Sequence, residues 1–434
     1  MTTGAAGDAR TTVDYLLIGG GLAAATAAEE IRKRDAQGSV LIVAAERHLP
    51  YHRPPLSKEY LRGDIGPDGT YGNGGVYAQL PPWYDEQRVT VKQGVGVTRL
   101  DTAARQATLS DGSTVTYGRA LIATGGRPRT LPILGAHLPG VFVLRTLDDS
   151  TAIREQLNTP HRNVVVIGSG FIGLEAASNA LFKGAQVTIV DPVDRVWPGT
   201  LTPDLSAYLE NEYTSRGATF YLGHTAAEFI AGADGRVAQV RIVPVDGAGA
   251  PLTLPADVVL VGVGIQLNTD LATDADLNVD PHHGVMVDDH MRASAEDVYA
   301  AGDVAAFLDP VMGRYHFEHW DNAIASAKTA AANMTGGDQH YQHVPYFFSD
   351  QFDLSINMLG YPSPDAEVVI RGDPAQDAFT AVYVRDGAIR AALMVNDDAL
   401  MDTWRELIET SASAPEERAQ LASSAFDPAS LKRS

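Results

Sequence analysis

The sequence contains no cysteine among its 434 residues. This absence excludes structural disulfides, thiolate metal sites, iron–sulfur clusters held by cysteine, and electron transfer through a redox-active dithiol, and so excludes disulfide reductases that use two dinucleotides. Long apolar runs are also absent, since stretches such as Val258 to Val263 are far shorter than the ~20 residues that cross a bilayer. We therefore expect no association with a membrane.

Positive charge is scarce, because 33 Lys and Arg stand against 54 Asp and Glu and give a formal net charge of -21. No cluster of basic residues stands out, so nucleic-acid binding is not expected. Met1 to Thr12 is small and polar and lacks the charged start and apolar middle of a secretory signal. We expect this stretch to be a loose tail and the protein to be cytoplasmic.

Two dinucleotide-binding fingerprints are present in the chain. GGGLAA begins at Gly19 after the apolar run Val13 to Ile18, and GSGFIG begins at Gly168 after Val164 to Ile167. In the first copy a helix is predicted over Leu22 to Arg34, which makes a strand–turn–helix unit, and the second copy repeats this plan. The repetition predicts a protein that holds two dinucleotides and passes electrons between them.

In the first fingerprint, Gly19 permits the tight turn, Gly21 lets the backbone approach a pyrophosphate, and Ala24 takes the helix-packing position. The acid expected to bind an adenosine ribose is Glu46, just past the predicted strand that ends at Val43. The alternative is that Glu46 is an ordinary surface glutamate.

In the second fingerprint, Gly168 and Gly170 make the turn and Gly173 lets helix and strand pack. Asp191 ends the next strand, where its carboxylate can accept from ribose hydroxyls and repel a 2′-phosphate. NADH is therefore favoured over NADPH, although the nearby Arg195 weakens this preference.

Five segments together resemble a known family. They are Leu49 to Lys58, Ala123 to Arg129, Ala301 to Asp303, Glu318 to Ala323 and Pro345 to Gln351. With the fingerprints, they resemble the FAD-dependent, NADH-oxidising ferredoxin reductases. That family includes putidaredoxin-type and dioxygenase-component reductases and is related to monodehydroascorbate reductase and apoptosis-inducing factor. The resemblance implies FAD in the first unit and NADH in the second.

The resemblance also implies the fold and its divisions. The fold class is α/β, with two Rossmann-like dinucleotide-binding domains in a glutathione-reductase-like arrangement and a C-terminal α+β domain. The FAD-binding domain is expected over 1–126 and 256–336, and the NAD-binding domain over 127–255. The C-terminal reductase domain is expected over 337–434.

Beyond the fingerprint positions, the resemblance places a further set of residues at the cofactor sites. These are Arg53, Lys58, Val97, Ala123, Thr124, Gly125, Arg127, Ile172, Glu175, Gly264, Asp303, Glu318, His319 and Trp320. Some of them also admit simpler interpretations. Val97 could simply pack within a strand, and Arg127 could be a solvated surface residue. Asp303 could cap a helix. Trp320, which precedes a helix predicted near Asn322, could be an aromatic residue at a domain contact.

Lys58 and Glu175 are the catalytic residues that the resemblance implies. In the family the corresponding pair meets beside the reactive edge of the flavin. The lysine stabilises electron density that arrives on the ring, and the glutamate keeps the ammonium paired in a poorly hydrated pocket. The alternative for Glu175 is an acid favoured by the helix dipole.

The acceptor implied most often by the family is a ferredoxin-like iron–sulfur protein. A monodehydroascorbate-reductase-like enzyme is an alternative, but Phe348 stands where those enzymes have a tyrosine. A second alternative is a redox-responsive binding protein like apoptosis-inducing factor. The histidines show no metal-ligand spacing, so no metal site is expected.

Overall fold

The computed structural model describes residues 10–432, which form two compact units. The first unit comprises the described part of Met1–His52 together with Gly66–Arg127 and Gln266–His343. The second unit comprises Arg53–Ile65, Pro128–Ile265 and the described part of Val344–Ser434. Each unit therefore combines stretches that are distant in the sequence.

The strands are numbered in chain order. They are β1 (Arg10–Ile18), β2 (Val40–Ala44), β3 (Val89–Gln93), β4 (Val97–Asp101), β5 (Gln106–Leu109), β6 (Thr114–Ile122), β7 (Gly126–Pro128), β8 (Val141–Val143), β9 (Asn163–Ile167), β10 (Gln186–Asp191), β11 (Thr219–Leu222), β12 (His224–Ala231), β13 (Val237–Pro244), β14 (Leu252–Pro255), β15 (Val258–Val261), β16 (Ile265–Leu267), β17 (Val279–Asp280), β18 (Gly284–Met286), β19 (Val298–Ala300), β20 (Ala305–Asp309), β21 (Gly313–Tyr315), β22 (Tyr346–Gln351), β23 (Leu354–Gly360), β24 (Glu367–Asp373), β25 (Ala378–Arg385) and β26 (Ala388–Val395).

The α-helices are numbered in the same way. They are α1 (Leu22–Arg34), α2 (Glu59–Arg62), α3 (Pro81–Glu86), α4 (Leu147–Leu157), α5 (Phe171–Phe182), α6 (Pro203–Ser215), α7 (Asp270–Asp274), α8 (Trp320–Met334), α9 (Met401–Glu409) and α10 (Ala419–Ala422). Short 3-10 helices occupy Pro54–Ser57, Gly302–Val304, Pro374–Gln376 and Pro428–Leu431.

The first unit is organised around a seven-stranded sheet in the order β3-β2-β1-β6-β5-β4, with β19 also paired to β6. The pairs that join β3, β2, β1, β6 and β19 are parallel, whereas β5 and β4 are antiparallel additions. All residues of β2 are buried, as in a strand covered on both faces. The unit also contains a small four-stranded sheet formed by β17, β18, β20 and β21.

Helix α1 follows β1 directly and matches the bounds predicted from the sequence. It is rich in alanine, the residue with the highest helix propensity, and its last turn carries Arg32, Lys33 and Arg34. These positive charges interact favourably with the negative end of the helix dipole and stabilise the helix. The first strand–turn–helix unit is therefore confirmed.

The second unit contains three sheets. A parallel sheet has the order β11-β10-β9-β15-β8, and an antiparallel sheet has the order β12-β13-β14. The third sheet is antiparallel, in the order β22-β23-β26-β25-β24. One apolar core joins α5 and α6 to this third sheet through residues such as Leu174, Tyr213 and Phe379. This core places polar side chains of α5, α6 and β22 near one another.

Two predicted turns are found where the sequence indicates them. Asp111 and Gly112 connect β5 to β6, and Asp386 and Gly387 connect β25 to β26. Asp386 has φ of 53° and Gly387 has φ of 73°, so both adopt the left-handed conformation that a two-residue hairpin turn requires.

Two expectations about element ends are wrong. The predicted loose tail reaches Thr12, but Thr11 and Thr12 already belong to β1, where β6 supplies their backbone partners. Residues 1–9 of that tail lie outside the described residues. Helix α8 begins at Trp320 rather than near Asn322, because His319 is its extended N-cap residue, and that side chain forms no capping bond that a sequence signal could reveal.

The predicted α/β class is confirmed, with two nucleotide-binding β-α-β units and a C-terminal region of strands and helices. The domain boundaries at 126, 255 and 336 stay a prediction. Among residues 10–432, no helix is both long enough and apolar enough to cross a bilayer.

Candidate functional site

The first glycine turn connects β1 to α1 in the first unit. Gly19 has φ of 127°, and a Cβ built there would lie 2.2 Å from the carbonyl oxygen of Ala123. Gly21 is the N-cap of α1 and has open space where a side chain would project. Ala24 is fully buried in the core. The turn therefore leaves the helix N-terminus accessible to a pyrophosphate, and these residues fit a dinucleotide such as FAD.

Glu46 lies shortly after β2, near this turn in the sequence. The Tyr51 hydroxyl donates a hydrogen bond to its Oε2 atom. A carboxylate has about four lone-pair positions, so this bond leaves acceptor capacity for ribose hydroxyls. The predicted ribose role of Glu46 is compatible with this contact and stays a proposal.

The second glycine turn connects β9 to α5 in the second unit. Gly168 has φ of 104°, and a Cβ there would lie 2.3 Å from the carbonyl oxygen of Gly262. A Cβ on Gly173 would lie 2.0 Å from the carbonyl oxygen of Gly168, so only glycine allows α5 to pack this closely. Gly170 again caps the helix with open space beside it. These residues fit a second dinucleotide.

Asp191 ends β10 and is 9% exposed. Its Oδ2 atom accepts from the backbone N–H and the hydroxyl of Ser169, and its Oδ1 accepts from the backbone N–H of Val193 at 3.1 Å. The carboxylate therefore braces the second glycine turn, a role that the sequence analysis did not anticipate. The nearby Arg195 donates to the carbonyl of Pro198 at 3.2 Å.

Ala123, Thr124, Gly125 and Arg127 follow the end of β6 in the first unit. The Thr124 hydroxyl donates to the Asn268 carbonyl at 2.8 Å, and the Asn268 amide donates back to the Thr124 carbonyl at 2.9 Å. Arg127 contacts Asn268 Oδ1 at 2.8 Å and Asp270 at 3.3 Å. Asn268 thus organises this segment, and nothing in the sequence motifs indicated its part.

Trp320 opens α8 and donates from its indole N–H to His52 Nδ1 at 2.8 Å. Burial lowers the pKa of His52 to about 4, so the ring is neutral at pH 7 and can accept this bond. Tyr71 stacks on His52 with ring centroids 4.6 Å apart. His52 lies in the segment Leu49 to Lys58 that resembles the family, but the sequence analysis did not predict a role for it.

Other predicted residues of the first unit lie around the start of α8 and after β19. Asp303 lies within the 3-10 turn that follows β19 and is not its N-cap, so it does not cap that turn. Burial lowers the pKa of His319 to about 4. Glu318 Oε1 lies 3.2 Å from His316 Nε2. Their cofactor roles stay proposals.

The remaining predicted cofactor residues have the following surroundings. Val97 begins β4 and packs against the apolar core of the first unit. In the second unit, Arg53 donates to the carbonyl of Arg145. Gly264 adopts φ of 87° with open space beside it, and Ile172 is partly exposed in the first turn of α5.

Lys58 and Glu175 form a buried ion pair in the second unit. Lys58 Nζ lies 2.7 Å from Glu175 Oε2, and the side chains are only 5% and 2% exposed. Lys58 also lies over the ring of Phe348, 5.3 Å from its centroid, which adds a cation–π contact. A buried ion pair is costly to desolvate unless further hydrogen bonds complete it.

Glu175 receives those hydrogen bonds from two serines. The Ser57 hydroxyl donates to Oε2, and the Ser349 hydroxyl donates to Oε1 at 2.6 Å. The amide of Asn179 fixes the local backbone by donating to the carbonyls of Ser57 and Glu175. The structure thus brings together the predicted pair and adds Ser57, Ser349 and Asn179, which sequence reasoning missed.

A separate cluster of histidine and aspartate lies in the first unit. One ligand atom each from Asp289, His290 and His340 lies within 4.8 Å of the others, although no metal-ligand spacing marks them in the sequence. Both histidines are hydrogen-bonded to Asp289 at 2.7 Å, and His290 also contacts Asp338 at 2.8 Å. Asp289 and Asp338 raise the pKa of His290 by hydrogen bonding to its charged form. These bonds hold the two chain segments together.

Comparison with known proteins matches two regions of the sequence to known families. Residues 13–327 match the family described as pyridine nucleotide-disulphide oxidoreductase, and residues 346–431 match the one described as reductase C-terminal. The ferredoxin–NAD(+) reductase component of the anthranilate 1,2-dioxygenase system from Burkholderia cepacia is 36% identical over 402 residues. That alignment covers 92% of this chain and 94% of the relative.

Solved structures agree with this assignment. The ferredoxin reductase for the CYP199A2 system from Rhodopseudomonas palustris superimposes with a TM-score of 0.87 at 33% identity. The covalent complex of putidaredoxin reductase with putidaredoxin gives a TM-score of 0.88 at 30% identity. Each match covers 96% of this chain and 98% of the other.

Proposed function

Because this chain belongs to the pyridine nucleotide-disulphide oxidoreductase family, we propose that it is a reductase that takes hydride from NADH onto FAD and delivers electrons to a ferredoxin-like protein. The observation that carries the proposal is the pair of glycine turns, one in each unit, both shaped for a dinucleotide. FAD supplies the step between hydride chemistry and single-electron transfer. The residues of the chain bind the cofactors, orient them and compensate charge.

Lys58 and Glu175 are the residues that we propose to serve hydride transfer. An ammonium held in a poorly hydrated environment stabilises negative charge more strongly than one in water. The Glu175 carboxylate pairs with the Lys58 ammonium at 2.7 Å and positions it. The absence of cysteine means that no dithiol takes part, although dithiols give the family its name.

The acceptor is proposed from the relatives. They are named as ferredoxin reductases, and one solved structure is a complex with putidaredoxin. These names favour a ferredoxin-like iron–sulfur protein over the small-molecule acceptor of a monodehydroascorbate reductase and over a redox-responsive binding role. We also propose that the protein acts in the cytoplasm, where NADH is available.

The proposed acceptor is tested by measuring NADH oxidation with two acceptors, ferricyanide and a purified ferredoxin of a bacterial oxygenase system. We expect sustained, saturable turnover with the ferredoxin, because reduced flavin is reoxidised by the docked protein. Ferricyanide, which needs no docking surface, is the control for flavin reduction. Turnover with ferricyanide but none with several ferredoxins would contradict the proposed acceptor.

The preference for NADH is proposed to depend on the charge of Asp191. Replacing Asp191→Asn keeps the side-chain shape and one oxygen that can accept from Ser169, loses the acceptor for the Val193 N–H, and removes the charge that repels a 2′-phosphate. The ratio of kcat/KM for NADH to that for NADPH is expected to fall by on the order of 10-fold, because hydrogen bonds to a charged acceptor are stronger. Steady-state kinetics with both nucleotides measure this ratio.

The matched control is Asp194→Asn, which removes the same charge from a side chain that is 81% exposed three residues away. It is expected to leave the ratio unchanged. An equal effect of both substitutions would mean that net charge, and not contact with ribose, determines the preference.

A further inference from the structure

A chain of hydrogen-bond donors ends at the buried Glu175 carboxylate. The Tyr213 hydroxyl donates to Gln351 Oε1 at 2.8 Å, the Gln351 amide donates to the Ser349 hydroxyl at 2.9 Å, and Ser349 donates to Glu175 Oε1 at 2.6 Å. All four side chains are buried, so water does not compete for these bonds. We call Tyr213, Gln351 and Ser349 the donor chain.

The direction of the donor chain follows from the charge of Glu175. An ionised carboxylate can only accept, so the single hydroxyl hydrogen of Ser349 points to it. The oxygen of Ser349 must then accept, which turns the NH₂ group of Gln351 towards it. The carbonyl of Gln351 consequently faces Tyr213, whose hydroxyl hydrogen it shares with the Leu174 carbonyl, also at 2.8 Å.

We propose that Ser349, Gln351 and Tyr213 are positioning residues that hold the charged Glu175 carboxylate in place opposite Lys58. Each donor polarises the next, so the bond that reaches the carboxylate is stronger than an isolated serine bond. Hydrogen bonds to the charged form of an acid favour that form. The donor chain therefore helps to offset the cost of burying the Glu175 carboxylate.

Within the described residues, ionisable side chains from three segments of the chain act on the Glu175 site. Lys58 attracts the carboxylate, whereas Asp350 in β22 repels it when ionised. Burial raises the pKa of Tyr213 well above its ordinary value, so Tyr213 remains a neutral donor. Among the described residues, the hydroxyls of Ser57 and Ser349 and the ammonium of Lys58 offset the cost of the buried negative charge, and the donor chain orients Ser349.

This inference rests on the proposed function. Its first test is the pH profile of FAD reduction by NADH in the holoenzyme, with the reduction monitored by stopped-flow absorbance. Replacing Ser349→Ala removes the hydrogen-bond donor to Glu175 Oε1, which weakens the stabilisation of the charge on that carboxylate. The acid limb of the rate profile is expected to move upward by about 1–2 pH units. Tyr213→Phe, which keeps the ring, is expected to move it in the same direction by less than about one unit.

The matched control is Ser206→Ala. Ser206 is also buried and donates to a backbone carbonyl, that of Val196, at 2.7 Å, without contacting Glu175. Its replacement is expected to lower stability without moving the pH profile. Identical profiles for wild type, Ser349→Ala and Tyr213→Phe would overturn the inference.

A second test uses the melting temperature of the holoenzyme and needs no turnover. Ser349→Ala is expected to lower it about twice as much in the native background as in Glu175→Gln, because a hydrogen bond to a charged acceptor is roughly twice as strong. Equal losses in both backgrounds would overturn the inference. If wild-type FAD is not reduced by NADH at all, the proposed function fails while this measurement still tests the donor chain.

Discussion

Replacing Lys58 by methionine is expected to slow the reduction of bound FAD by NADH by on the order of 10²–10³-fold, the usual cost of losing one preorganised stabilising group. The same change is expected to lower the free energy of unfolding by about 3–5 kcal/mol. The reason is that the buried Glu175 carboxylate would lose its cation and keep the hydrogen bonds from Ser57 and Ser349. Stopped-flow absorbance and denaturant unfolding measure the two effects.

A double substitution separates charge from packing in this result. Adding Glu175→Gln to Lys58→Met removes the unpaired charge, so much of the lost stability is expected to return, whereas the rate of FAD reduction stays low. A rate that recovers together with stability would show that the lysine matters for folding and not for hydride transfer.

The matched control for Lys58 is Lys92→Met. Lys92 forms an ion pair with Asp111 at the same distance, 2.7 Å, but their side chains are 35% and 39% exposed. Surface ion pairs contribute about 0–1 kcal/mol, so this variant is expected to resemble the wild type in both measurements. If Lys92→Met lost as much stability and as much FAD-reduction rate as Lys58→Met, burial of the Lys58–Glu175 pair would not explain its effect.

Replacing Gly19 by alanine is expected to give a protein that retains little FAD. The new Cβ would overlap the carbonyl oxygen of Ala123 at 2.2 Å, and φ of 127° is a conformation that side chains rarely adopt. Backbone strain and steric overlap together are expected to cost at least about 2 kcal/mol, which corresponds to a loss of roughly 30-fold in FAD affinity. They would also open the turn that is expected to face the pyrophosphate. The ratio of flavin to protein absorbance after purification measures the loss.

Gly72→Ala is the control for backbone strain alone. Gly72 also has positive φ, 81°, but its added Cβ would meet open space. This variant is expected to remain yellow with a small loss of stability. If it loses FAD as completely as Gly19→Ala, the close approach of the first glycine turn to Ala123 does not explain FAD binding.

The features that could be predicted from the sequence are those determined by neighbouring residues, namely helices and tight turns. The helix over Leu22 to Arg34 and the turns at Asp111-Gly112 and Asp386-Gly387 follow from glycine placement and apolar patterning within about ten residues. Lys58 and Glu175 could be paired only through a family resemblance, because they are 117 positions apart and no local pattern connects them. The structure brings them within 2.7 Å.

The donor chain shows what sequence reasoning could not reach. Ser349 and Gln351 are two positions apart on β22, so their side chains are expected on the same face of the strand. The sequence does not indicate which residues that face contacts. Tyr213 lies 138 residues before Gln351 and carries no motif, so only packing of α6 against the C-terminal sheet reveals its role. Buried polar contacts of this kind depend on tertiary structure.

Anaerobic titration of the purified protein with NADH is the decisive experiment. We expect a yellow protein whose flavin absorbance is bleached by about one NADH per FAD, and more readily by NADH than by NADPH. A protein that binds no FAD after reconstitution, or whose flavin spectrum neither nucleotide changes, would contradict this expectation.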